Sequence, residues 1–214
     1  PVVAAASTTI TCDTNSFAAT DLVTFTVTVP VPVEFEDGDL TLSATISAEQ
    51  GDINPANNIG SDFVTVIGQK ADLAIRTRGA SRIYVGYKTR INTVADNYGP
   101  DAARDVAVAI TTNGPASAFK ITSVPTGWSC GLDSGYPTAR FLCSMDVGLT
   151  MAKGQRPEFV LTFTAPASMA SSNLIVGAGI SSATADPSVG NNENSYSLYI
   201  EPLRGISLPQ IPTN

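Results

Sequence analysis

Three cysteines carry the most distinctive chemistry in this chain of 214 residues, which contains no histidine. Cys130 and Cys143 are close enough in sequence to be joined across a short loop, whereas Cys12 is far from both. Without an imidazole, the chain lacks the commonest general base, the commonest transition-metal ligand and the usual activator of a serine nucleophile. We therefore predict no catalytic residues, and we expect that the protein is not an enzyme.

Charge and hydropathy exclude two classes of partner. The net charge is −7 with only 12 lysines and arginines, whereas binding to nucleic acid or to anionic lipid requires a basic surface. The sequence has no run of about 18 apolar residues, so we predict no membrane insertion by this segment. The abundance of Thr, Ser, Asn, Gly and Val, with few lysines, is typical of extracellular β-rich proteins. We therefore expect an extracellular or cell-surface location and no nucleic-acid partner.

Two oxygen-rich turns are the candidate metal sites. Asp52 and Asn54 in the first turn and Asp186 in the second could offer oxygen ligands to calcium. In the alternative interpretation, these side chains hydrogen-bond to their own backbone and only shape the turns. We favour the alternative and expect no cofactor.

Tyrosines provide a candidate site for surface glycans. The run at 82–88 contains two of them, and Tyr98 and Tyr136 could join it in an aromatic platform. Tyrosines on strands more often cover the sheet with their apolar rings. A sugar-binding surface is therefore kept as the second of two interpretations.

Short runs that alternate apolar and polar residues recur along the chain, bounded by Gly, Pro, Asn and Asp. Period-2 alternation with β-branched residues predicts strands, and no stretch shows the 3.6-residue apolar period of a capped helix. We therefore predict an all-β chain with an immunoglobulin-like β-sandwich. The predicted strands are 23–29, 40–47, 63–67, 73–77, 105–111, 159–165, 174–181 and 196–200.

The chain contains an internal repeat. Two strands joined by an Asx-rich turn occur twice, and the turns end in Asn57–Asn58 and Asn191–Asn192, which are 134 positions apart (191 − 57). A period of this length indicates tandem domains rather than a solenoid of small repeats. Residues 8–67 are therefore predicted to be a second copy of roughly 139–200.

The repeat suggests how the three cysteines are used. Cys143 has a candidate disulfide partner in Cys130, whose equivalent in the first copy would lie before residue 1. Cys12 ends a short apolar run as Cys143 does, and we therefore expect it to pair with a cysteine outside this sequence. A Cys130–Cys143 disulfide would stabilise the fold by roughly 3 kcal/mol in the chain-entropy model and would indicate an oxidising compartment. The alternative is that these two cysteines are buried free thiols.

Five segments of the second copy occur in a recognisable order: ADLAI (71–75), NYGPDAARDVAVAI (97–110), PTGWSC (125–130), FLC (141–143) and DPSVGNN (186–192). In this order they resemble a conserved repeat domain of bacterial and archaeal cell-surface proteins, a family of unknown function with an immunoglobulin-like or prealbumin-like sandwich. The resemblance implies tandem arrays with stalk, adhesion or assembly roles, and no known catalytic residues.

Three residues in these segments are expected to be structural. Gly99 and Pro100 suit a tight turn, because glycine can take a positive φ and proline fixes its own φ. Trp128, two residues before Cys130, is expected to pack its ring over the disulfide.

We predict three parts along the chain. Residues 1–68 are the C-terminal half of an immunoglobulin-like domain, completed by strands from upstream sequence or from another subunit. Residues 71–200 are a complete domain, and residues 201–214 are a proline-containing linker or donor-strand tail. The short junction at 68–70 is expected to hold successive domains in a stiff row.

The expected function is that of an extracellular structural or adhesive protein whose tandem sandwiches form a surface stalk, fibre or filament. Its expected partners are other copies of itself, neighbouring domains of the same protein, and surface glycans. The alternative is a carbohydrate-binding module of a larger secreted protein.

Overall fold

The computed structural model describes residues 8–33, 35–136 and 138–203 of the chain. These residues form strands, connecting loops and three short 3-10 segments. The strands, numbered in chain order, are β1 (Gly38–Thr45), β2 (Ile59–Val66), β3 (Leu73–Gly79), β4 (Arg82–Tyr84), β5 (Lys88–Asn97), β6 (Ala103–Arg104), β7 (Ala107–Thr112), β8 (Phe119–Ser123), β9 (Trp128–Leu132), β10 (Arg140–Met145), β11 (Thr150–Met151), β12 (Glu158–Thr164), β13 (Ser172–Ser181) and β14 (Glu193–Glu201).

Strands β3 to β14 build a sandwich. One sheet has six strands in the order β4-β14-β13-β7-β10-β9, and the other has four in the order β3-β5-β12-β8. β6 and β11 form a separate short pair, and β1 and β2 form a hairpin of their own. The predicted all-β, immunoglobulin-like sandwich is confirmed.

The core lies between the two sheets, because alternate side chains of each strand point into that space. Strand β12 shows the pattern clearly: Phe159, Leu161 and Phe163 are fully buried, whereas the intervening Val160 and Thr162 are only half-buried. The buried residues of both sheets form one hydrophobic cluster. The sandwich from β3 to β14 therefore has a complete core.

A disulfide fixes one edge of the six-stranded sheet. Cys130 on the edge strand β9 lies directly opposite Cys143 on β10, and the two are bonded. This is the pairing expected from the sequence. The nearby ring of Trp128 is buried and meets the ring of Phe159 edge-on, with centroids 5.0 Å apart. Trp128 thus connects the disulfide-bonded edge to the opposite sheet.

Glycine is required at position 99 for a reason other than the predicted one. Gly99 is not among the glycines with positive φ, but a Cβ there would lie 2.2 Å from the backbone nitrogen of Asp72. The segment leading into β3 therefore passes too close for any side chain. The buried Asn97 holds the Gly99–Pro100 turn, because its Oδ1 accepts the Gly99 N–H at 3.0 Å and its Nδ2 donates to the carbonyl of Met151 at 2.8 Å.

The predicted strand at 23–29 is wrong. The described residues 8–33 contain no strand, and Phe25 is exposed. The similar run 159–165 becomes β12 because β5 and β8 hydrogen-bond to both of its edges. No strands equivalent to β5 and β8 occur among the described residues before position 23, and a strand without ladder partners is not stable in water.

Contacts within the chain separate residues 1–32 from residues 33–214. In the first unit, the described residues contain a turn in which the backbone N–H groups of Thr20 and Asp21 both donate to the carbonyl of Ala18. The β1–β2 hairpin belongs to the second unit, together with the sandwich.

Gly99→Ala should destabilise the sandwich by about 2–3 kcal/mol, because the added methyl group forces the backbone near Asp72 to move. Urea denaturation followed by the fluorescence of Trp128, the single tryptophan of the chain, measures this. Gly131→Ala is the matched control, since nothing lies within 4 Å of a Cβ at that position. We expect the control to stay within about 0.5 kcal/mol of the wild type, and equal losses in the two variants would contradict the close-approach explanation.

Candidate interaction surface

The β1–β2 hairpin is a structural duplicate of the β13–β14 hairpin. At the turn end of the first hairpin Thr45 pairs with Ile59, and 134 positions later Gly179 pairs with Glu193. Both ladders contain eight residue pairs in the same register. The same offset separates the repeated asparagines in the sequence, so the sequence repeat corresponds to a repeated structural element.

The turns that close the two hairpins also share their hydrogen bonds. Asp52 Oδ1 accepts the N–H of Asn54 at 2.8 Å, and Asp186 Oδ1 accepts the N–H of Ser188 at 2.8 Å. These carboxylates shape their own turns, as the alternative to calcium ligation expects. Within the described ranges, no three acidic or cysteine side chains form a group that could hold a metal ion.

The two hairpins differ in what covers their apolar face. Ile180 in the second hairpin is 6% exposed, whereas the equivalent Ile46 in the first is 60% exposed. Val176 is fully buried, whereas its equivalent Leu42 is 46% exposed. β3 contacts both β13 and β14 across the core, and no described strand lies in that position over β1 and β2. We call this side of the first hairpin the open face. It comprises Leu42, Ala44, Ile46 and Val64, which are exposed, and Leu40 and Val66, which are half-buried.

The open face is accompanied by two free strand edges. β13 pairs with β7 on its other side and β14 pairs with β4, whereas β1 and β2 pair only with each other in the described structure. Contiguous exposed apolar surface marks an interaction site, and unpaired strand edges accept further strands. The hairpin therefore combines the two features of a surface that binds β-structure.

Cys12 is a free, exposed thiol in the described chain. Its expected pairing outside this sequence remains a prediction.

The tyrosines considered for a glycan platform are not brought together. Tyr84 and Tyr87 meet with ring centroids 6.4 Å apart, but their planes are inclined by 64°. The Arg140 guanidinium lies 4.5 Å above the ring of Tyr136. Tyr87 lies just before β5 and Tyr98 lies just after it. Because a strand rises about 3.3 Å per residue, the length of β5 separates these two tyrosines by roughly 30 Å. These rings do not form one flat surface.

A serine motif within β9 is structural. Residues 127–131 have the G-x-S-x-G spacing of a nucleophile elbow, which requires a sharp strand-to-helix turn. Ser129 lies inside a strand instead, and its hydroxyl donates to Asp146 Oδ1 at 2.8 Å. The motif therefore lacks the geometry of a nucleophile.

A buried carboxylate is likewise accounted for by its neighbours. Asp96 is 1% exposed and contacts Arg76 and Arg156, each at 2.6 Å. Two cations compensate the cost of burying this charge. The three residues tie β3 and β5 to the loop before β12.

No protein-family model matches the chain, and neither does any curated protein. Solved structures that are similar to it include the CARDB domain of a Pyrococcus furiosus protein, at 10% identity over 61% of this chain and 89% of that chain, with a TM-score of 0.42. A cohesin module from a Clostridium perfringens family 33 glycoside hydrolase has 13% identity over 63% of this chain and 98% of that chain, with a TM-score of 0.40. An uncharacterized Nocardia farcinica protein with an immunoglobulin-like fold has 12% identity over 60% of this chain and 97% of that chain, with a TM-score of 0.38. No partner or activity follows from these similarities.

None of the helical segments in the described residues has the length and hydropathy needed to cross a membrane.

Ile46 and Ile180 offer a matched test of the open face, because the same residue occupies equivalent positions in the two hairpins. Ile180→Ala should lower the free energy of unfolding by about 2–4 kcal/mol, since it leaves a cavity in a packed core. Ile46→Ala should change it by less than about 0.5 kcal/mol. Urea unfolding followed by circular dichroism measures both, and equal losses would show that the open face is covered in solution.

Proposed function

We propose that this chain is part of an extracellular row of tandem β-sandwich domains that serves as a structural or adhesive element of a microbial surface, such as a stalk, fibre or filament. The observation that carries the proposal is the duplication of a whole hairpin, with its register and turn, at an offset of 134 residues. The resemblance of roughly residues 8–200 to the repeat domain of surface proteins supports it. The disulfide is consistent with an oxidising, extracellular compartment.

The junction between the hairpin and the sandwich supports a stiff row. Lys70 Nζ contacts Asp37 Oδ2 at 2.5 Å, and Asp37 Oδ1 accepts the Gly68 N–H at 2.9 Å. On the sandwich side, the backbone N–H of Lys70 donates to Asp101 Oδ2 at 2.9 Å, and the next N–H donates to the carbonyl of Ala185. The junction is therefore held from both sides, which restricts reorientation of the two parts. We call these contacts the junction clamp.

The clamp has a defined dependence on pH. The hydrogen bond from Lys70, followed by that from the Gly68 N–H, lowers the pKa of Asp37 below its ordinary value, against a smaller opposing effect of desolvation. Because this pKa is depressed, the contribution of the clamp is fully present above the ordinary carboxyl pKa and is lost as pH falls through the lowered value. The clamp should thus be intact at neutral and mildly acidic pH.

Asp37→Asn should loosen the junction at neutral pH. Spin labels at Ser61→Cys and Ser144→Cys, in a Cys12→Ser background, report the distance between hairpin and sandwich in pulsed electron paramagnetic resonance. We expect a narrow distance distribution in the parent at pH 7, broadening only below about pH 3.8, the ordinary pKa of Asp37. Asp37→Asn should already broaden the distribution measurably at pH 7, because it loses the ion pair to Lys70 while the backbone hydrogen bonds of Lys70 and Ala71 remain. A parent that is equally broad at pH 7 would contradict a stiff row.

We also propose that the half domain at 1–68 is completed by strands from upstream sequence or from another subunit, with Cys12 bonded to the completing segment. Intact-mass analysis of native material, with and without reductant, tests the bond. We expect reduction to release a thiol partner from Cys12 or, for a longer single chain, to add the mass of two hydrogen atoms for a disulfide beyond the one at Cys130–Cys143. Native material in which Cys12 reacts as a free thiol would contradict this part of the proposal.

The alternative, a carbohydrate-binding module, would use a flat aromatic surface with a few oriented polar groups. The inclined pair Tyr84 and Tyr87 does not provide that surface. The structural role is accordingly the function that the observed geometry supports best, and we propose no catalytic role.

A further inference from the structure

We infer that the β1–β2 hairpin is a preformed docking site for a separate stretch of polypeptide that has the chemistry of residues 70–99 of this chain and supplies the equivalents of β3 and β4. The inference rests on the proposed tandem arrangement and adds the identity of the strands and the contacts that hold them. Three separate features of the hairpin carry it: the open face, the free edge of β2, and the turn at 52–58.

The open face defines the first strand of the occupant. In the complete sandwich, β3 lies across β13 and β14 and buries Leu73 and Ile75, which are 0% and 2% exposed. The equivalent face of the first hairpin presents aliphatic side chains at the same positions, including Leu42 and Ile46. The matching strand must therefore carry aliphatic residues at two alternate positions, as β3 does.

The free edge of β2 defines the second strand. In the sandwich, β4 adds in parallel to β14, with Ile83 opposite Ile200 and Tyr84 opposite Glu201. The N–H of Val85, which follows β4, donates to the carbonyl of Glu201 at 2.9 Å. The equivalents of Ile200 and Glu201 lie 134 positions earlier, at the C-terminal end of β2, and the edge of β2 there is unpaired in the described structure. A strand like β4 can therefore add to it in the same register.

The turn at 52–58 supplies polar anchors for the start of the first strand. In the sandwich, Asp186 Oδ2 accepts the N–H of Leu73 at 2.8 Å, and Asn191 Nδ2 donates to Asp72 Oδ1 at 2.8 Å. Asp52 and Asn57 occupy the equivalent positions in the first copy. Asp52 Oδ1 is used by its own turn, but among the described residues neither its Oδ2 nor the side-chain amide of Asn57 has a partner.

Together, the three features specify the pattern that the site recognises. An aspartate must precede the first aliphatic residue, and a second aliphatic residue must follow two positions later, as in Asp72-Leu73-Ala74-Ile75. The aspartate would accept from Asn57, and the N–H of the following residue would donate to Asp52. A short parallel strand must then reach the edge of β2.

A second folded copy of this chain is not the occupant. Its own 70–99 segment is already built into a sandwich, where β3 pairs with β5 along its full length. The other edge of β3 is closed by side chains, since Asp186 accepts the Leu73 N–H and Asn194 Oδ1 accepts the Thr77 N–H at 2.9 Å. The occupant must therefore be a separate stretch of polypeptide.

A synthetic peptide with the sequence of residues 70–99, labelled with a fluorophore, is the probe for this site. Mixed with the full chain, it should bind saturably with one peptide per chain, as measured by fluorescence anisotropy. Leu42→Asp, on the open face, and Asp52→Ala, in the turn, should each weaken binding at least tenfold. Ser43→Asp is the matched control, because it places the same charge on the opposite face of the same strand.

Two further measurements make the outcome decisive. A peptide carrying L73D and I75D should not bind, because it lacks the aliphatic pattern. Binding that is unaffected by both Leu42→Asp and Asp52→Ala, or absence of binding by the unaltered peptide, would overturn the inference. Sedimentation that shows a dimer of the chain, abolished by Leu42→Asp, would assign the open face to a second copy instead. Failure of the peptide to bind as expected, or formation of a dimer, would not refute the proposed row of domains. The spin-label distances at the junction test that proposal separately.

Discussion

The packing of β3 against the β13–β14 hairpin is the interaction on which the sandwich depends. The chain contains the same hairpin twice, and only the copy that lies beneath β3 has a buried apolar face. Fully burying an isoleucine or leucine side chain contributes roughly 1.5–3 kcal/mol. Several such residues line each hairpin, so the presence of one covering strand decides whether a hairpin belongs to a stable core or remains exposed. The hydrogen bonds within each hairpin do not make this difference, because the two internal ladders have the same register. The β13–β14 hairpin gains further ladders with β7 and β4 as part of the same sandwich.

Polar contacts determine where that covering strand begins. Asp186 accepts the N–H of Leu73, and the buried Asn97 organises the turn that passes close to Asp72. These groups are satisfied within the protein, so burying them does not carry the cost of unpaired polar atoms. They position β3 rather than provide the main stabilisation, which comes from the apolar residues behind it. Asp186 and Asn97 thus act at the boundary of the domain, where the start of β3, the turn that closes the β13–β14 hairpin and the core meet.

The same boundary gives the molecule its proposed mechanical character. Lys70 lies between a hairpin carboxylate and the backbone-binding Asp101 of the sandwich. A junction held on both sides transmits orientation from one β-unit to the next, which a long unstructured linker cannot do. An exposed ion pair contributes little to stability, so the importance of the clamp lies in geometry.

The sequence by itself determined the elements whose side-chain pattern is local. The predicted runs 40–47, 73–77 and 159–165 correspond closely to β1, β3 and β12, because alternation of apolar and polar residues is a property of the strand alone. The repeat spacing also located the duplicated hairpin. Strand β5 was not predicted, since buried Thr93 occupies one of its inward positions and obscures the alternation.

Only the tertiary structure decided which strands acquire partners and which faces are covered. The run at 23–29 has a strand pattern but no ladder, Gly99 is required by a backbone neighbour distant in sequence, and Ile46 and Ile180 differ only in what lies above them. The physical reason is that ladder hydrogen bonds and burial are made between segments far apart in the chain. A local pattern shows that a segment is able to form a strand, and long-range contacts determine whether that strand is paired and buried.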